Sequence, residues 1–270
     1  MKSVEVYGAL NQDGLSNLSG KPVNRIADVT MLFWIIKVLS TTVGETAADY
    51  LALDLDLGLV VTSYIMTGAF LIAFYFQLRS RAYVPAIYWT VVVLISIVGT
   101  LVSDNLVDNL GVSLVTTTVV FSIGLVLVFV LWYLSERTLS VHTIYTLRRE
   151  LFYWAAILLT FSLGTSGGDL VAERLDVGYA QSTLLFATMI GGIAAAYFFF
   201  DLDAVLAFWL AYILTRPLGA SMGDLLAKIP DLGGLGFGTT VTSLVFLGTI
   251  VGLVAYLARR HELMLKEIAR

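Results

Sequence analysis

Four aspartates recur at one register in this sequence, and they are the residues on which chemistry could be built. Trp34, Trp89, Trp154 and Trp209 are each followed ten residues later by Gly44, Gly99, Gly164 or Gly219, and five further on by Asp49, Asp104, Asp169 or Asp224. The pattern W-x9-G-x4-D thus occurs four times without a gap. Beside it stand a fifth acid, Glu45, and two cations, Lys37 and Arg216, all in apolar surroundings. Carboxylates, hydroxyls and carbonyls are hard oxygen ligands suited to Mg2+, Ca2+ or Mn2+. Softer ions are disfavoured, because Cys is absent and the two histidines, His142 and His261, lie outside the stretches that carry these acids.

Residues four apart share a helix face. Glu45 with Asp49, Asp104 with Asp108 and Asp169 with Glu173 therefore form double-acid faces, and Asp224 with Lys228 pairs an acid with a base. The residue after the repeat glycine is Glu45, Thr100, Thr165 or Ala220, so only the first repeat has a deep second acid. Glu45 and the four aspartates against Lys37 and Arg216 give -5 + 2 = -3, a charge that one dication brings close to neutral. The first and fourth repeats are expected to supply a central cation site, with Lys37 and Arg216 as counter-charges. Four-fold repetition would gather the acid faces around an outer vestibule, where Asp108, Glu173 and the hydroxyls of Thr62, Thr117, Thr183 and Thr240 are placed.

The elements that position these residues must be membrane helices. Of 270 residues, 58% are hydrophobic and 13% charged, against roughly 25% charged in soluble domains. Apolar runs of the length a span needs, about 20 residues, occur at 28–50, 58–78, 84–105, 111–134, 150–172, 178–200, 204–226 and 237–258. Short alternating strands are missing, which excludes a membrane β-barrel. Each repeat holds one W-G-D helix and one return helix, so all four enter the bilayer in the same sense as parallel repeats. The expected fold is all-α: eight transmembrane helices in one domain, 26–258, built of repeats 26–80, 81–136, 150–200 and 201–258. The basic stretch 137–149 links two four-helix halves. Residues 1–25 read as a mobile tail without the apolar core of a signal peptide, and 259–270 as a second tail. Twelve of sixteen Lys and Arg fall on the side of the N-terminus, with only Arg174 and Lys228 opposite. By the positive-inside rule both termini are cytoplasmic. The net charge of -4 and the lack of a basic tract exclude nucleic acid as a partner.

Charges inside a bilayer cost roughly 2.5 to 3.5 kcal/mol each on insertion scales. Seven of them facing lipid would cost on the order of 20 kcal/mol, so they must face the bundle interior or water. An anion at the C-terminal part of a helix also opposes the macrodipole. A helix break at Gly44, Gly99, Gly164 or Gly219, with Pro217 assisting, would relieve that conflict; close helix packing is the other use of these glycines. The four repeat tryptophans read as packing residues or cytoplasmic-interface anchors.

The stretches WIIKVLSTTVGETAADYL, YWTVVVLISIVGTLVSDN, FYWAAILLTFSLGTSGGDL and AFWLAYILTRPLGASMGDLL resemble the repeat signatures of a family of bacterial integral membrane proteins. That family is built of four tandem two-span repeats of unknown function, each with a characteristic tryptophan. The resemblance covers about residues 25–258. It implies fold and residence in the bacterial inner membrane, and for some proteins of this general kind it points to cation transport.

The expected function is therefore secondary transport or export of a small cation, Mn2+ before others, through Glu45, Asp49, Asp104, Asp169 and Asp224. No catalytic residue and no cofactor is expected, since neither a nucleophile–base pair nor a phosphate-binding loop is present. The partners are the lipid bilayer, the cation and, compatibly, further copies of the chain. Two alternatives stand beside this: a proton-coupled carrier of an organic cation or small solute, and a membrane enzyme or structural partner whose acids only cap helices.

Overall fold

The computed structural model describes residues 24–268, with side chains through residue 263, and no strand occurs among the described residues. The long helices are α1 (Met31–Asp49), α2 (Leu59–Arg79), α3 (Pro85–Asp104), α4 (Leu114–Glu136), α5 (Leu147–Asp169), α6 (Tyr179–Phe199), α7 (Ala204–Ala227) and α8 (Thr239–Ile268). All eight are long and apolar enough to cross a bilayer. The protein is a multi-pass membrane protein of four tandem repeats. α8 continues to Ile268, so the stretch from 259 to 268, read as tail, is helical.

Helix starts follow their capping residues. Thr30, Ser113 and Thr146 accept from the backbone N–H three residues on, and Asp203 accepts from Val205 and Leu206. α3 begins with Pro85 in its first turn. α2 and α6 start directly after Gly58 and Gly178, whose φ angles of 73° and 81° favour glycine.

Burial separates the helices into two sets. In the odd-numbered helices 56–72% of the span is buried, and in the even-numbered ones 11–17%. α1, α3, α5 and α7 form the inner ring, each packed on the next and α7 closing back on α1. The return helices lie outside and pack one repeat ahead: α2 on α3, α4 on α5, α6 on α7 and α8 on α1. Ring closure crosses the 137–149 linker without a seam, since α3 packs on α5 as α1 does on α3. One core runs through both halves.

The repeat glycines set the ring spacing. A Cβ at Gly44 would strike Ser96, one at Gly99 would meet Phe161 Cβ at 2.7 Å, one at Gly164 would strike Arg216, and one at Gly219 would strike Thr41. Each obstacle lies three residues before the glycine of the next repeat, so one close contact recurs around the ring. No break occurs at these glycines or at Pro217; α1, α3, α5 and α7 run as α-helices through all of them. The irregularity comes after the aspartates. In repeats one to three a single π-turn follows, at Tyr50–Asp54, Asn105–Asn109 and Leu170–Arg174. The fourth repeat lacks it. There residues 229–238 fold back instead, and the amides of Leu235, Phe237 and Gly238 bond the last carbonyls of α7.

At the base, the end where the described residues begin and α8 finishes, residues 24–30 lie across the bundle. The tail expected over 1–25 falls outside the described residues except for Asn24 and Arg25, and these are bonded. Asn24 donates to the Val141 carbonyl at 3.1 Å, and Arg25 pairs with Glu150 at 2.8 Å. Glu150 is fully buried and also accepts from Gln77 at 2.8 Å.

Candidate functional site

The equivalent positions of the four inner helices stack as layers along the ring. Nearest the base, eleven residues before each repeat glycine, Phe33, Tyr88, Tyr153 and Phe208 are all buried, and the two tyrosine hydroxyls meet at 2.6 Å. Three of the repeat tryptophans, Trp89, Trp154 and Trp209, are buried at this level, while Trp34 is only partly covered. Of the two expected uses, packing and interface anchoring, these three serve the first. Their indole N–H groups reach inward to Tyr83, Glu150 and the Leu139 carbonyl.

Lys37 comes next. It is fully buried, so its ammonium does not reach the base; it donates to Thr215 Oγ1 at 3.1 Å and sits 4.0 Å and 4.2 Å from the ring centres of Tyr212 and Phe161. No ion pair joins it to a carboxylate among the described residues. The expected counter-charge role thus falls mainly to Arg216.

Arg216 is fully buried and is held by all three other inner helices. It donates to the Thr41 carbonyl (2.6 Å) and Glu45 Oε2 (3.0 Å) on α1, to Thr100 Oγ1 on α3, and to Thr165 Oγ1 (2.7 Å) and the Phe161 carbonyl (3.4 Å) on α5. A planar guanidinium with five donors suits such a site, and an ammonium does not. The residues after the repeat glycines, Glu45, Thr100 and Thr165, therefore form one polar layer around it, with Ala220 completing the level.

Beyond this layer lie the repeat aspartates. One carboxylate oxygen each of Glu45, Asp169 and Asp224 can be taken so that all three lie within 4.8 Å of one another. These acids come from α1, α5 and α7, the spread a cation site between repeats requires. Asp49 and Asp104 hold the equivalent register on α1 and α3 and are partly buried. Ser96, Ser103 and Ser221 on the inner helices carry buried hydroxyls without a hydrogen-bond partner. Leaving such groups unpaired costs about 1–3 kcal/mol each; Ser96 packs against Gly44 at the ring contact and not in the acid group.

At the rim, Asp108 and Glu173 are exposed. Lys228 joins Asp224 at 3.3 Å and Glu173 at 3.2 Å, and donates to Tyr179 Oη at 2.9 Å. Burial opposes the charged form of Lys228, but Asp224, Tyr179 and Glu173 outweigh it and raise its pKa above the ordinary lysine range. Of the expected vestibule hydroxyls, Thr62 and Thr117 are buried, Thr183 is half-buried and bonds back to Tyr179, and Thr240 is exposed. The buried position is the fourth residue after each return-helix cap: Thr62, Thr117, Ser182 and Thr242. Counting from the cap and not from the nearest threonine would have found Ser182 and Thr242. Glu150 and Tyr179 gave no repeat signal and are visible only in the folded chain.

The family model for the Repeat of Unknown Function (DUF347) matches the chain four times, over residues 32–83, 87–138, 152–202 and 207–262. The chain belongs to the DUF347 repeat family. The four DUF347 units coincide with the four helix pairs, so each unit supplies one inner and one outer helix. Neither a curated protein nor a solved structure matches the chain.

Proposed function

We propose that this DUF347 protein is a secondary transporter or exporter of a small divalent cation, Mn2+ before others, in the bacterial inner membrane with both termini cytoplasmic. The observation that carries this reading is the meeting of Glu45, Asp169 and Asp224 from three repeats, beside the buried Arg216. Three carboxylates with nearby hydroxyls and carbonyls make a hard oxygen site, and intramembrane acids that face a bundle interior commonly mark ion pathways. Arg216 and the aromatic layer close the base side of that site, so release toward the base needs Arg216 to leave Glu45. The twelve cations on the terminal side support the orientation. No catalytic step and no resident cofactor belong to this reading.

The test is flux in proteoliposomes loaded with a Mn2+-sensitive dye. Wild-type protein should carry Mn2+, and Glu45→Gln or Asp224→Asn should cut the rate at least tenfold. Flux unchanged by both substitutions sinks the site. A second reading rests on the two rings around Lys37, which form an aromatic setting that also suits organic cations. Flux of a quaternary ammonium and none of any metal would favour it. Absence of both would favour a structural protein in which Glu45 and Asp224 serve only their own cations.

A further inference from the structure

The fourth repeat differs from the others at its outer end, and the difference places a cation on the proposed site. Four residues beyond the repeat aspartate stand Leu53, Asp108, Glu173 and Lys228. Repeats one to three pass through a π-turn there, whereas α7 stops at Ala227 and leaves Lys228 as its C-cap. Gly236 N–H bonds the Lys228 carbonyl at 2.9 Å, and the return of residues 229–238 holds this end of the chain. From that position the ammonium spans two sets of partners. Inward is Asp224, a member of the three-acid group; outward are Glu173, on the turn after α5, and Tyr179, in the first turn of α6. Tyr179 Oη in turn donates to Glu173 Oε1 at 2.8 Å, and the ammonium lies 4.8 Å from the tyrosine ring centre.

Charge arithmetic gives this arrangement a use. Glu45, Asp169 and Asp224 carry -3 when ionised. Arg216 reduces that to -2, and Lys228 reduces it to -1. Counting only the groups in direct contact, a dication bound with both cations in place would leave +1 and with Lys228 withdrawn zero; Asp49 and Asp104, partly buried in the same register, stand outside this count. Glu173 and Tyr179 offer the withdrawn ammonium a partner at the rim, where its side chain is already 27% exposed.

We propose that Lys228 is a tethered cation guarding the outer mouth of the acid site: an incoming dication takes its place at Asp224, and Glu173 with Tyr179 holds the ammonium aside. This rests on the cation-site reading above. The exchange is a swing of the side chain between Asp224 and the Glu173–Tyr179 pair, both of which the ammonium already touches. Lys228 is a positioning residue. It sets how tightly the site holds its ion and prevents the acids from standing empty and unpaired.

Equilibrium Mn2+ binding to the full chain in lipid nanodiscs tests this. Lys228→Gln should bind Mn2+ at least tenfold more tightly than wild type, Lys228→Arg should stay within about threefold of it, and Tyr179→Phe should tighten binding by a smaller factor than Lys228→Gln. A merely structural lysine predicts weaker binding on its removal, the opposite sign. A second readout needs no variant: saturating Mn2+ should raise the labelling rate of the Lys228 amine by an amine-reactive reagent several-fold in wild-type protein. If Mn2+ binds but Lys228→Gln leaves its affinity unchanged or weaker, or labelling does not rise, the guard is overturned and the cation site stands. If neither wild type nor Lys228→Gln binds Mn2+ while both remain folded, the cation-site reading fails and the guard fails with it.

Discussion

Arg216 on α7 donates to the Glu45 carboxylate on α1 at 3.0 Å, and this buried pair joins the first and fourth repeats across the closing seam of the ring. Each repeat has the same position three residues before its glycine, and only the fourth fills it with a cation; the others carry Thr41, Ser96 and Phe161. Duplication supplied four equivalent places, and divergence turned one into the charged centre of the bundle.

Removing one member of that pair should be far more damaging than removing both. Arg216→Met leaves Glu45 buried without its cation and should cost about 3–5 kcal/mol. Adding Glu45→Gln should recover a large part of the loss, a coupling that a double-mutant cycle reads directly. Arg216→Lys should recover little, because one ammonium cannot serve partners on three helices. Denaturant unfolding in detergent micelles of the four proteins of the cycle and of Arg216→Lys checks this.

Close approach at the repeat glycines makes a second expectation sharp. Gly99→Ala puts a methyl at 2.7 Å from Phe161 Cβ, with the Phe161 backbone carbon at 3.3 Å, and should destabilise by about 1–3 kcal/mol. Gly68, on α2, has nothing within 4 Å of an added Cβ. Gly68→Ala should stabilise by about 0.4–1 kcal/mol through the unfolded chain. Equal effects at both sites, read as melting temperatures, would remove the argument for glycine at the ring contacts.

The strap across the base is held by one buried ion pair and by hydrogen bonds to Val141, Ile144, Tyr83 and Gln77. Arg25→Ala strips the cation from Glu150, which is fully buried, and should cost about 3–5 kcal/mol. Limited proteolysis gives the local readout: cleavage within residues 24–30 should become markedly faster than in wild type, while α5 stays protected. Uniform cleavage throughout the chain would mean that the pair supports the whole bundle and not the strap alone.

The pH dependence of the Lys228 cluster has a definite sign. Asp224, Glu173 and Tyr179 face this ammonium and raise its pKa in the folded protein. Stability from a raised lysine is fully present below the unfolded value of about 10.4 and fades only as pH rises through the higher folded value. The melting-temperature gap between wild type and Lys228→Gln should therefore not shrink between pH 7 and about 10 on account of this lysine, and should narrow beyond that. A gap that closes steadily between pH 7 and 9 would place another titrating group in control.

Much of this architecture was legible in the residues. The W-x9-G-x4-D register located the four helices whose charges must turn away from lipid; that these form an inner ring came from the packing. Glu45 and Arg216 were visible as charges too deep in their spans to reach water. Other features had no local signature. The glycines allowed either a break or a close helix approach, and the structure shows the second: the helices pass straight through, and the chain departs from α geometry only after the aspartates. The tryptophans read as packing residues or interface anchors, and three of them are packed in the core.

Sequence alone determined the spans, their number, the repeat and the residues that lipid would not tolerate, because hydrophobicity and periodicity act along the chain. Tertiary structure decided which charges meet. Each return helix packs on the following repeat and α8 returns to α1, so Glu45 faces Arg216 across 171 positions of sequence and Asp169 and Asp224 close on the same point. Spacing along one helix assigns a residue to a face; only the order in which helices surround the ring assigns that face a partner.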